Sequence, residues 1–122
     1  IGYAAYAPTK FAIVGLSEVL RHELKPYNID VSVLYPPDTD TPGFEHENRT
    51  KPPECATISE SAKLMTATQV AEAFVEGLLK KRFAILPGEA LLVQRLYRYA
   101  PGLIRWFLDW QHRQARKALG KA

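Results

Sequence analysis

Tyr6-Ala7-Pro8-Thr9-Lys10, then a helical run to Tyr27, then Ile29-Asp30-Val31-Ser32-Val33-Leu34-Tyr35 closed by Pro36-Pro37, is the stretch whose reading decides the fold. Between Thr9 and Tyr27 the apolar residues Ala12, Leu16, Val19, Leu20 and Leu24 recur at intervals of three and four, which makes one face of an amphipathic helix. Pro26 ends it, since proline cannot donate the next intrahelical hydrogen bond. Pro8 is tolerated only in a first turn, so the regular helix begins near it. Tyr6 and Lys10 then stand one turn apart on a shared face with Ile13 and Ser17. The β-branched run 29–35 reads as a strand, and a strand that follows a helix and ends in a Pro-rich loop belongs naturally to a parallel sheet.

Outward from that core, the stretch from Pro36 to about Pro53 is rich in Pro, Thr, Asp and Asn, and its length predicts a lid rather than a connector. A short helix is expected over 59–67. A second, capped by Thr68 and carrying Val70, Ala73, Phe74, Gly77 and Leu78, is expected to reach Lys80 or Lys81. Phe83-Ala84-Ile85-Leu86 reads as a short last strand stopped by Pro87-Gly88, and the remainder as basic helix broken at Pro101-Gly102. The fold class expected is α/β: the C-terminal part of a doubly wound, parallel-sheet (Rossmann-type) domain over residues 1–87, with an amphipathic, basic helical tail over 88–122.

Composition supports a folded chain, with 47% hydrophobic residues among 122. The opening on Ile1, with a motif by the sixth residue, reads as the later part of a longer protein. A net charge of +3 conceals a division. Residues 1–79 hold 6 Lys/Arg against 11 Asp/Glu, and residues 80–122 hold 10 against 2. A basic tail of this kind suits an acidic partner, phosphate or an anionic membrane surface, or is a solvated helix face. The single cysteine, Cys55, has no partner for an internal disulfide and fits a reducing compartment. No apolar stretch approaches the roughly 18 residues that cross a bilayer. His22, His46 and His112 are spaced too widely to suggest a metal site, so no metal is expected.

A Tyr-x-x-x-Lys pair arises often by chance, but its chemistry is definite. Tyrosine ordinarily stays protonated at neutral pH, and an ammonium one turn away favours the phenolate. Such a tyrosine gives a proton to a ketone oxygen as hydride arrives, or takes one from an alcohol in reverse. The order of Tyr6-x-x-x-Lys10 opening a helix, a β-branched strand and then Pro36-Pro37-Asp38-Thr39-Asp40-Thr41 resembles the short-chain dehydrogenase/reductase family over roughly residues 1–87. That resemblance implies Tyr6 as general acid/base and Lys10 as ligand of the nicotinamide ribose, with the post-strand loop (Pro36, Pro37, Thr39, Thr41) against the nicotinamide. Pro42, Gly43 and Phe44 follow as a substrate loop. The family's usual Pro-Gly is Pro36-Pro37 here, one backbone N–H donor fewer. The family's glycine-rich phosphate turn and catalytic serine would precede Ile1, so these residues alone are expected to be inactive.

Lys25-Pro26-Tyr27-Asn28, Tyr35 through Phe44 and Glu47 through Pro52 resemble one branch of the family more closely. That implies reduction of a long-chain ketone, 3-ketosphinganine, in sphingolipid synthesis, with NADPH rather than NADH as cofactor. Another hydrophobic ketone or alcohol, such as a steroid, retinoid or fatty acyl compound, is the alternative, and a noncatalytic association module the second. The expected partners are a hydrophobic small molecule and a second copy of the chain along the helix 9–25. Nucleic acid is not expected, since no recognised binding motif accompanies the basic charge. In the tail, Leu91, Leu92, Leu96, Tyr97, Leu103, Ile104, Trp106, Phe107, Leu108 and Trp110 alternate with arginines. Such a helix lies in a membrane interface or packs on protein. The expected location is cytoplasmic or the cytosolic face of a membrane, the endoplasmic reticulum in a eukaryote.

Overall fold

Pro8 costs helix α1 nothing, because the first four N–H groups of a helix have no intrahelical acceptor. In a computed structural model that describes residues 2–59 and 64–121, α1 therefore starts at Tyr6 and runs to Leu24. Pro26 converts the next three residues to a 3-10 turn, Lys25–Tyr27, and Asn28 closes it in the left-handed region (φ 58°), its N–H donating to the Lys25 carbonyl at 3.0 Å. Asparagine tolerates that conformation better than most residues.

The strand after it is shorter than its composition suggests. Only β1 (Val33–Leu34) is paired, running parallel to β4 (Ala84–Ile85) with Val33 opposite Ala84 and Leu34 opposite Ile85. The expected strand 29–35 fails at its start because, among the described residues, β4 is its sole neighbour. Ser32 is held there by a side-chain bond to the Arg82 carbonyl (2.8 Å), and Asp30 by an ion pair to Lys81 (3.0 Å). A second parallel pair joins β2 (Thr39–Asp40) to β3 (Met65–Thr66).

The segment 36–53, expected as a lid without regular structure, is mostly helix. Thr41 caps α2 (Pro42–Thr50), its hydroxyl accepting from the Phe44 N–H at 3.2 Å. Pro42 follows at the first helical position, where its fixed φ is an advantage. Pro42, Gly43 and Phe44 are thus the first turn of a helix rather than a loop. Pro53 likewise opens α3 (Pro53–Ser59). The helix expected over 59–67 is displaced, since Ser59 ends α3 and Met65–Thr66 is strand; residues 60–63 lie outside the described residues.

The expected cap Thr68 is also replaced. Thr66 caps α4 (Ala67–Leu79) through a reciprocal pair, Gln69 N–H to Thr66 Oγ1 at 3.2 Å and Thr66 N–H to Gln69 Oε1 at 2.9 Å. The residue three after Thr68 is Ala71, which has no group to return that bond. α4 lies on β4, and Val33, Val70 and Ile85 form the buried core there.

Two helices complete the chain, α5 (Ala90–Tyr99) and α6 (Pro101–Ala118), separated at Ala100-Pro101. This agrees with the basic helical tail and its break. α6 packs on α3 and buries Ala115, and Lys121 reaches Glu54 at 2.8 Å. The hydrogen bond from Lys121 holds the Glu54 carboxyl below the usual carboxylate range. A group whose folded pKa is depressed stabilises the fold above its unfolded value, about 4.3 for Glu, and loses that contribution as pH falls through the lower folded value. The expected result is that Glu54→Gln narrows the gap in urea midpoint between neutral pH and pH below 4. An unchanged pH profile would assign the pair no role in stability.

Candidate active site

The site begins with one turn of α1. Tyr6 and Lys10 are four residues apart, so both project from the same side, and the Lys10 ammonium lies over the Tyr6 ring at 4.8 Å from its centroid. Tyr6 is 53% exposed, so the residue stands open to solvent and is not walled into a core. Among the described residues no carboxylate pairs with Lys10. A phenol and an uncommitted ammonium on one accessible face can hold a carbonyl or sugar hydroxyls and move a proton at the phenolic oxygen.

A second tyrosine, which the sequence did not single out, fixes this turn against the rest of the molecule. Tyr3 packs edge-on to Tyr6 with ring centroids 5.7 Å apart, and its hydroxyl donates to Glu47 on α2. That hydrogen bond, with partial burial and nearby Cys55 adding to it, pushes the Tyr3 phenol well above the ordinary tyrosine range. Lys51 lies 3.9 Å from the same carboxylate and over the Phe44 ring at 4.8 Å. The start of α1 is thereby attached to α2. No local signal announces a bond between residues 3 and 47.

The loop residues divide. Thr39 donates its hydroxyl to the Pro37 carbonyl at 2.7 Å, which spends its proton internally. Thr41 accepts from the Phe44 N–H, which leaves its own O–H for another partner. Pro36 and Pro37 face a cavity of about 1080 Å³ between the ends of β1 and β4 and one side of α5, lined by Tyr35, Met65, Leu86 and Tyr97 among others. Tyr6 and Lys10 are not in its lining. The structure thus joins Tyr6 to Lys10 and, through Tyr3, to α2, while Pro36 and Pro37 sit at a separate cavity.

Toward a nicotinamide ribose, the donors present fit: the Tyr6 phenol, the Lys10 ammonium and the free O–H of Thr41 are polar groups of the right kind. Among the described residues no three His, Cys, Asp or Glu side chains are grouped to hold a metal ion, and no helix is long and apolar enough to cross a membrane.

Comparison with known proteins places these features. Residues 1–52 match the family model described as short chain dehydrogenase. The chain is 54% identical over 77 residues to the 3-ketodihydrosphingosine reductase of Dictyostelium discoideum, covering 63% of this chain and 23% of that protein. It is 54% identical over 82 residues to the 3-dehydrosphinganine reductase of Danio rerio, and 51% identical over 82 residues to the 3-ketodihydrosphingosine reductase of Bos taurus. Each of these covers 67% of this chain and 25% of the relative. The chain spans about a quarter of the length of the curated relatives it matches. No solved structure matches it.

Proposed function

We propose, from the match of residues 1–52 to the family model described as short chain dehydrogenase, that this chain is the catalytic-helix portion of an NADPH-dependent reductase that converts 3-ketosphinganine to sphinganine. The single observation that supports it most is the Lys10 ammonium over the half-exposed Tyr6 ring at the opening of α1. A bound nicotinamide cofactor supplies the hydride. Tyr6 gives its phenolic proton to the ketone oxygen as that oxygen gains negative charge, and Lys10, which no carboxylate among the described residues neutralises, holds ribose hydroxyls and stabilises the oxygen left behind. Thr41 offers its O–H from the cap of α2, and Tyr3 and Glu47 keep the first turn of α1 in place.

The glycine-rich turn that seats a pyrophosphate does not occur in these 122 residues. NADPH oxidation is accordingly assigned to the complete protein and not to this chain by itself. The test is turnover by the complete protein with NADPH or NADH and with 3-ketosphinganine, a ketosteroid, a retinal or a ketoacyl ester. Sphinganine formed fastest with NADPH supports the reading; a preference for one of the other substrates overturns the substrate, and turnover by the isolated chain overturns the division of labour.

A second reading is favoured by one observation. α6 turns Ile104, His112 and Ala115 inward, and leaves Leu103, Trp106, Phe107 and Trp110 open on the other side, with Phe107 and Trp110 stacked at 5.9 Å. With Arg113 and Lys117 continuing that side, this helix suits an anionic bilayer surface, where its substrate would also reside. Flotation with vesicles containing anionic lipid is expected to carry the chain, and Trp106→Ser with Trp110→Ser to release it. Equal flotation of both forms would sink the membrane role.

A further inference from the structure

Glycine marks two places where the backbone passes a neighbour closely. In the turn after β4, Gly88 has φ +61°, and a Cβ there would stand 2.9 Å from the Met65 sulfur. Before α1, Gly2 has φ +83°, and a Cβ there would stand 2.5 Å from Pro52 Cγ. The second close passage lays the segment that leads into Tyr6 against the end of α2. Phe44 and Glu47 on α2 and Lys51 at its C-cap share one side of that helix, at spacings of three and four. Glu47 accepts from the Tyr3 hydroxyl. Tyr3 in turn starts α1, its carbonyl accepting from the N–H of Tyr6 at 3.1 Å and of Ala7 at 2.8 Å. The residue that opens the helix with its backbone is thus tied to α2 by its side chain.

Lys51 is the unusual member of this group. Two carboxylate–cation pairs lie along α2 at the same four-residue spacing. Glu45 and Arg49 are 3.8 Å apart with both side chains mostly exposed, and such solvated pairs contribute little. The Lys51 side chain is only 4% exposed, its ammonium 3.9 Å from Glu47 and 4.8 Å from the centroid of the Phe44 ring. Lysine is rarely so covered, and a covered ammonium is a weak source of stability, because an apolar side chain of similar size does as well. What it supplies is place. A carboxylate drawn toward a fixed charge is held in one position for Tyr3, and Tyr3 sets both the start of α1 and, edge-on, the Tyr6 ring. We propose that Lys51 and Glu47 are positioning residues for proton transfer at Tyr6, acting through Tyr3. The role rests on the reading of Tyr6 as proton donor. In it neither residue touches the reacting atoms.

The experiment is steady-state ketone reduction by the complete protein in wild type, Lys51→Met, Tyr3→Phe, the double variant and Arg49→Met. Misplacing a reacting group by about 1 Å costs on the order of 10²-fold in rate, so Lys51→Met is expected to lower kcat by roughly 10–100-fold. KM for NADPH is expected to stay within about twofold of wild type, and the solvent deuterium isotope effect on kcat to grow, since the proton step is the one impaired. Tyr3→Phe is expected to give a loss of the same order. The double variant is expected to be no slower than Tyr3→Phe, because residues that act through one another do not add. Arg49→Met removes the same charge from the exposed pair and is expected to match wild type. Methionine keeps the apolar stem of Lys51, and the change leaves Glu47 in contact with water, so the fold is retained. Glu47→Gln, expected to give the same losses, takes its place if the unfolding midpoint falls. A kcat for Lys51→Met within about twofold of wild type, an equal loss in Arg49→Met, or losses that multiply in the double variant overturns the positioning role and leaves the Tyr6 reading standing. A wild type that reduces no ketone overturns both.

Discussion

Tyr6→Phe in the complete protein is expected to lower kcat for ketone reduction by roughly 10²–10⁴-fold, the range typical of a positioned proton donor. The substitution removes one oxygen and little else. The ring stays beneath the Lys10 ammonium, because a phenylalanine face attracts a cation much as a tyrosine face does. The edge contact to Tyr3 also stays, as does the bond from Tyr3 to Glu47. A loss of rate with an unchanged unfolding midpoint is therefore assignable to the missing proton and not to a loosened helix. Tyr3→Phe separates the two tyrosines, since it detaches the turn from α2 while leaving the Tyr6 hydroxyl in place. If Tyr6→Phe retains activity within a few-fold of wild type, Tyr6 is not the acid and the mechanism above fails.

Gly77→Val is expected to destabilise the fold by about 1–3 kcal/mol, the usual cost of forcing extra methylenes into a packed core. Gly77 is buried on the side of α4 that faces β4, and a Cβ built there would come within 2.6 Å of Ile85 Cδ1 and Cγ1. Ile85 cannot easily yield. It is 4% exposed, and its β-branched side chain is stiff about χ1. Valine's better helix propensity relative to glycine offsets only a few tenths of a kcal/mol. Gly15→Ala supplies the opposite sign, because nothing lies within 4 Å of a Cβ at that position on α1, so helix propensity acts alone and raises stability by roughly 0.8–1 kcal/mol. Urea unfolding of the two variants measures both, and a Gly77→Val midpoint equal to wild type would show that the α4–β4 contact relaxes without cost.

What could be read from the sequence was mostly what local spacing controls. Tyr6 and Lys10 had to meet because four residues make about one helical turn, and they do. The β-branched run around Val33 and the shorter one around Ala84 had to be strands of one parallel sheet, and they pair in parallel. Prolines misled in one direction. Pro42 and Pro53 read as loop residues, yet each stands at a helix start, where its missing N–H costs nothing and Thr41 supplies a cap. The capping box at Thr66 is visible in the letters Thr-x-x-Gln, and the later Thr68 competes with it in the sequence because it too precedes the apolar run. Contacts between distant residues were not legible at all. The bond from Tyr3 to Glu47 and the cavity beneath α5 depend on how whole elements meet, which no window of neighbouring residues encodes.

α1 carries no buried residue, and Phe11 is 77% exposed, with Leu16 and Val19 also open along its length. The helix that presents Tyr6 is thus held chiefly at its two ends, by Tyr3 on α2 and by the stacking of Arg21 on Phe83 at 5.3 Å.

The close approach at Gly88 has a chemical consequence for anyone storing the protein. Met65 is the chain's one methionine, and its thioether abuts a turn with no slack. Peroxide or prolonged contact with air turns a thioether into a polar sulfoxide, and the added oxygen must either press on that turn or enter the adjoining apolar space. Aged samples should therefore unfold at a lower urea concentration, and methionine sulfoxide reductase should restore the midpoint.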